Sequence, residues 1–141
     1  MRGWLLDTNV LSELRKPECA PEVRRWVRSQ NSRDFYVSRI TFAEIRYGIN
    51  RWPDPGKRKV LHHWLETELR PWFGERVLDI DEEVVLRWRE MVERGRKSGH
   101  TFSQPDLFLA ATADLHQLCL VTRNLADFAL TGVSVLNPWE G

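Results

Sequence analysis

Four acidic residues lie in four separate apolar segments, each close to a turn: Asp7 in WLLDTNVLSEL, Glu44 in ITFAEIRYGI, Asp106 in SQPDLFLAATA and Asp127 in VTRNLADF. An ionised carboxylate among hydrophobic residues is costly to bury unless something compensates its charge. If folding gathers the four, the natural counter-charge is a hard divalent cation, because Mg²⁺ and Mn²⁺ prefer oxygen ligands. Such a centre suits chemistry on phosphate esters: a cation reverses the repulsion that bare carboxylates would exert on an anionic substrate.

Each acid also has an ordinary explanation. Asp, and an acid in a first helical turn, favour helix starts for capping and dipole reasons, and Asn-Leu-Ala-Asp is common turn material. The ordinary explanation weakens when the four are taken together. Asp7 is followed by Thr8, Asn9 and Ser12, short polar groups able to orient water and neighbouring oxygens. Glu44 and Asp106 each sit near the start of an apolar helix. The histidines His62, His63, His100 and His116 show no ligand spacing. Only His100 is placed for substrate contact.

The elements that must position these acids alternate. Apolar runs at Gly3–Leu6, Phe35–Ser38, Val77–Ile80, Leu118–Thr122 and Val133–Leu136 read as short strands. Between them, helical spacing covers Val10–Arg15, Glu22–Ser29, a segment capped by Thr41 and running to Asn50, Lys57–Leu69, Glu82–Lys97 behind Asp81, and Pro105–Leu115 behind Ser103. On Glu82–Lys97, Val84, Val85, Trp88, Met91 and Val92 are expected to face inward. The strands show little alternation, so both faces should be covered. The expected architecture is therefore a three-layer α/β/α sandwich around a mostly parallel sheet of four or five strands. Sites in such sheets form at the carboxyl ends of the strands, where Asp7 directly follows the first.

Size and composition set the remaining bounds. A chain of 141 residues with 42% hydrophobic content fits one domain, expected to span 1–141. The net charge of +1 identifies no partner. Cys19 and Cys119 lie far apart, and Cys119 in LCLVT reads as a buried thiol. The opening WLL is too short for a signal peptide or a membrane span, so a cytoplasmic protein without a membrane partner is expected. Arg15, Lys16, Arg39, Arg46 and Arg123 are candidates for holding phosphates, and Trp52 and Trp72, in loop-like contexts, for stacking on bases.

The ordered blocks LLDTNVLSEL, TFAEIRYGI, QPDLFLAATA and LVTRNLADF followed by VSVLNPW resemble PIN-domain ribonucleases, in particular the VapC and FitB toxins of type II toxin–antitoxin pairs. The resemblance covers essentially the whole chain. It implies a PIN-like fold and an Mg²⁺- or Mn²⁺-dependent endoribonuclease using one or two ions. By position, it implies Asp7 and Asp106 as metal ligands, with Glu44 and Asp127 completing the catalytic acidic pocket. Thr8 and Asn9 match the polar pair after the first Asp, and Ser12 and Asn124 join them as orienting groups. Asn124 stands where some relatives carry an acid, which leaves the fourth carboxylate to Asp127 or to none. Arg15, Arg46 and Arg123 are the expected substrate contacts. The implied partners are RNA, a second copy of the chain and a small DNA-binding antitoxin that blocks the acidic pocket with a basic side chain.

Three other readings are weaker. A phosphatase needs a second Asp two residues after Asp7, where Asn9 stands. A phospho-acceptor receiver domain needs an acidic pair near the N-terminus and a late lysine, where Arg123 stands. A non-catalytic PIN-like module binding RNA or protein has little reason to keep four acids together.

Overall fold

A computed structural model of the protein describes residues 3–140. The chain runs β1 (Trp4–Leu6), α1 (Thr8–Arg15), α2 (Pro21–Ser29), β2 (Phe35–Ser38), α3 (Arg39–Asn50), α4 (Pro55–Trp64), a π-helical turn at Leu65–Leu69, α5 (Arg70–Phe73), β3 (Val77–Leu78), α6 (Glu82–Lys97), α7 (Gln104–His116), β4 (Cys119–Val121), α8 (Leu125–Phe128) and β5 (Val135–Leu136). The five strands form one sheet in the order β3-β2-β1-β4-β5, and every pairing is parallel.

Successive strand residues point to opposite faces, and this divides the core into two layers. Leu6 and Val121 join Val10, Leu11, Phe35, Val37 and Phe73 under α1–α5. Leu5 and Leu120 join Val84, Met91, Leu107, Ala110 and Phe128 under α6 and α7. Leu5, Leu6, Leu120 and Val121 are all fully buried, which accounts for the near absence of polar alternation in their strands. The expected three-layer sandwich is therefore the observed architecture.

The strand order carries the functional geometry. After β1 the chain builds outward through β2 and β3, then returns past β1 to β4. The reversal at β1 and β4 is the switch point where such sheets open a crevice beyond their carboxyl ends. Leu6 pairs with Val121, so the next residues, Asp7 and Thr122, leave the sheet side by side. The Asp7 amide donates to the Val121 carbonyl at 3.0 Å.

Several local expectations are corrected. Ser38, not Thr41, caps α3: its Oγ accepts from the Ile40 amide at 3.1 Å, and the helix begins at Arg39. Val85 is 41% exposed. The helix expected at Lys57–Leu69 starts earlier, at Pro55 behind an Asp54 cap, and continues through the π-turn to Phe73. Trp72 therefore lies in helix rather than loop. It packs on Phe35 and Phe73 at ring-centre distances of 5.5 and 5.0 Å, extending an aromatic row that includes Trp4 and Trp26. Its contribution is to the core. Cys19 and Cys119 are both buried and free. Among the described residues, no helix is long and apolar enough to cross a membrane.

Candidate active site

Asp7 is the most constrained of the acids. It stands between β1 and α1 and is only 7% exposed. One carboxylate oxygen accepts from the Thr8 amide at 2.7 Å and the other from the Thr122 hydroxyl at 2.9 Å. Burial is the main influence on its ionisation and raises its pKa above the usual carboxylate value. The bonds from Thr122 and Thr8 pull it down, and the negative charges of Asp106 and Asp127 push it up again. The fold thus buries a carboxylate and brings like charges near it, an arrangement that favours an added cation.

Thr122 escaped the sequence reading as a site residue. Its hydroxyl makes all three bonds open to it: it donates to Asp7 and accepts from the Asn124 amide at 3.1 Å and the Asn9 side-chain amide at 3.2 Å. Asn9 in turn accepts from the Arg123 amide at 3.3 Å. The sequence carried a usable signal. The three central strands end in polar residues, WLL in Asp7, FYV in Ser38 and CLV in Thr122, and all three residues are buried. A polar residue ending a wholly apolar strand marks the rim of the sheet.

Asp106 reaches the same rim from the other side. Ser103 caps α7, accepting from the Asp106 amide at 3.4 Å, and Pro105 fits the first turn of that helix. The turn is braced by Trp88 on α6, which stacks on Phe108 with ring centres 5.0 Å apart and donates to Gln104 at 3.0 Å. Glu44 projects from α3, one turn beyond Thr41.

Together these groups line one cleft of about 290 Å³, with Asp7, Glu44 and Asp106 as its acids and Thr8, Asn9, Thr41 and Asn124 among its polar residues. Asp127, on α8, lies outside the lining, although its charge is felt at Asp7. Ser12, Arg15, Arg46 and Arg123 are not in the lining either. Arg15 lies over Trp64 at 6.0 Å and Arg123 over Trp139 at 5.0 Å.

The lining suits a hard cation in its donor chemistry: three carboxylates with the side-chain oxygens of two threonines and two asparagines, and no histidine or cysteine. Among the described residues, no three carboxylates, histidines or cysteines close into a ready-made cage. A cation needing a full set of protein ligands would not fit this site. Mg²⁺ has no such need, since it commonly takes one or two carboxylates and keeps several waters.

Comparison with known proteins identifies the family of this fold. The model of the PIN domain family matches residues 4–132. The chain is 35% identical to the VapC ribonuclease Y4jK of Sinorhizobium fredii, over 96% of this chain and 97% of that protein. It is 37% identical to toxin FitB of Neisseria gonorrhoeae, over 96% and 98%. The crystal structure of FitAcB from Neisseria gonorrhoeae superposes with a TM-score of 0.92 at 36% identity, covering 98% of this chain and 99% of that one. A toxin–antitoxin complex from Klebsiella pneumoniae gives 0.67 at 25% identity, covering 96% and 98%. With four acid-bearing blocks in order, a five-stranded parallel sheet and matches along nearly its whole length, the chain belongs to the PIN-domain family and is of the VapC/FitB type.

Proposed function

We propose that this protein is a metal-dependent endoribonuclease, the toxin of a type II toxin–antitoxin pair, and that Asp7 and Asp106 hold Mg²⁺ or Mn²⁺ for hydrolysis of RNA phosphodiesters. The observation that carries the proposal is the cleft itself: a buried Asp7 anchored by Thr122 and sharing one lining with Asp106 and Glu44. The relatives named VapC ribonuclease support the reaction class.

When bound, the cation supplies a positive centre that attracts the phosphodiester and acidifies water. The chain's residues do the rest. Asp7 is held in one orientation by Thr8 and Thr122. Asp106 approaches from α7, and Glu44, on the same lining, would accept a proton from an attacking water. Asn9 and Asn124 tie the β1 and β4 ends together through Thr122, fixing the rim. Asp127 adds negative charge from outside the lining. Arg123, leaning on Trp139 beside this rim, is the best placed of the candidate substrate contacts.

Cation removal tests this reading. Purified protein stripped with EDTA should leave single-stranded RNA intact, and Mg²⁺ or Mn²⁺ should restore cleavage. Cleavage that persists in EDTA would overturn the metal-dependent reading, and the absence of cleavage with either ion would favour a non-catalytic binding module.

We also infer a small antitoxin partner and a homodimer. The antitoxin is supported by the toxin–antitoxin complex among the structural relatives. An Arg entering the acid cleft would supply the missing positive charge and bind a carboxylate through two parallel bonds. Sedimentation of the purified chain at micromolar concentration should give a dimer; a monomer would exclude it.

A further inference from the structure

Among the described residues, Thr41 Oγ1 alone of the buried side-chain nitrogen and oxygen atoms has no hydrogen-bond partner in the protein. Thr41 is fully buried and lines the same cleft as Asp7, Glu44 and Asp106. An unpaired buried hydroxyl is unfavourable and uncommon, and a native protein that keeps one usually has a use for it.

Three other helical threonines show the usual arrangement. Thr67 donates to the His63 carbonyl at 2.7 Å, Thr112 to Phe108 at 2.8 Å and Thr131 to Phe128 at 2.6 Å. Each uses a carbonyl three or four residues back, the common habit of a helical threonine. Thr41 is the third residue of α3, so the residues three and four positions back are the cap Ser38 and the β2 residue Val37, and the hydroxyl bonds to neither carbonyl. The cap is already supplied by Ser38. The hydroxyl is therefore surplus to local structure, on a residue that lines the cleft of the acids.

Resting on the metal-site reading above, we propose that Thr41 is a positioning residue for the cation, its hydroxyl, closed to water in the cation-free protein, turning on cation binding to hold a water molecule that completes the coordination left open by the carboxylates. The described residues offer no ready-made cage of three acids, so water must fill positions around the ion, and each such water needs an outer partner to be held in place. Thr41 supplies that partner from the α3 wall, as Thr122 supplies one to Asp7 from β4.

Mn²⁺ binding to the purified full chain, followed without RNA by the loss of the free-ion electron paramagnetic resonance signal, tests the role. Thr41→Val should weaken Mn²⁺ binding about tenfold, the lower end of the range for loss of an outer partner, while Thr41→Ser should stay close to wild type. Cation-free thermal melting supplies the second readout. With no bond to lose, Thr41→Val should melt at or above the wild-type temperature. Unchanged Mn²⁺ affinity in Thr41→Val would overturn the proposal. So would a cation-free loss of stability or folding in Thr41→Val that Thr41→Ser restores, because that would show a partner within the protein. Failure of the wild type itself to bind Mn²⁺ would instead overturn the metal-site reading, and this inference with it.

Discussion

Asp7→Asn is expected to abolish cation binding and to lower RNA cleavage on the order of 10³-fold, more than the roughly 10–100-fold typical of losing a supporting group around a metal. The reasoning starts from position. Asp7 is the most buried of the acids, and both its oxygens are already oriented by Thr8 and Thr122. The amide keeps the shape but not the charge, and a hard cation gains little from a neutral side chain. A loss of 10³ corresponds to about 4 kcal/mol of barrier. Comparable cleavage by wild type and variant under single-turnover conditions would remove Asp7 from the mechanism.

The same variant has a signature without metal or RNA. Burial first, and the charges of Asp106 and Asp127 after it, raise the Asp7 pKa in the folded protein above the ordinary value of 3.8, against the opposing bonds from Thr122 and Thr8. Between the unfolded and the raised folded value, the native state binds more protons than the unfolded chain. Cation-free stability from this group is therefore highest at low pH and falls as pH rises through that window. Asp7→Asn should lack this fall. The variant also exchanges one acceptor for a donor facing Thr122, so the slope against pH is the diagnostic quantity, not the absolute stability. Parallel denaturation curves for wild type and variant across pH 4–7, a span chosen around the ordinary carboxylate range, would contradict the raised pKa.

Much of this site was readable from local pattern. Asp7 after WLL, Glu44 on an apolar helix and Asp106 behind Ser103 are local signals, and the fold gathers these three in one cleft. Alternation of short apolar runs with amphipathic helices carried the three-layer architecture, because burial on both faces leaves its mark on every strand. What depended on register was not readable. The bond between Thr122 and Asp7 spans 115 positions and follows from pairing Leu6 with Val121, which neither segment encodes alone. Thr41 looked like a cap because Thr followed by an apolar helix fits that pattern, but Ser38, three residues earlier, takes the role and frees Thr41 for the cleft. The arginines were the least legible. A long flexible side chain goes where aromatic faces or carboxylates draw it, and Arg15 lies over Trp64, in a different groove from the acids.

Thr122→Val should lower cation-dependent cleavage by roughly 10–100-fold while leaving every carboxylate in the chain intact. The substitution preserves volume and removes one hydroxyl, which is the meeting point of three bonds: to Asp7, from Asn9 and from Asn124. Asp7 would lose the donor that fixes one of its oxygens, and with it an interaction that favours its ionised form. Proton competition for Asp7 should therefore strengthen, and the loss of Mn²⁺ affinity should grow as pH falls. The fold should suffer as well, because the Asn9 side-chain amide and the Asn124 backbone amide would both lose their acceptor near a buried carboxylate; a cost of about 2–3 kcal/mol is expected. Thr122→Ser separates the two consequences. It restores the hydroxyl without the methyl group, so it should recover most of the metal affinity even if packing around β4 is loosened. Recovery of stability without recovery of affinity would limit Thr122 to holding the strand ends together. Recovery of both would establish that the end of β4 orients Asp7 for its cation, a role assigned through strand register and through no acidic residue at all.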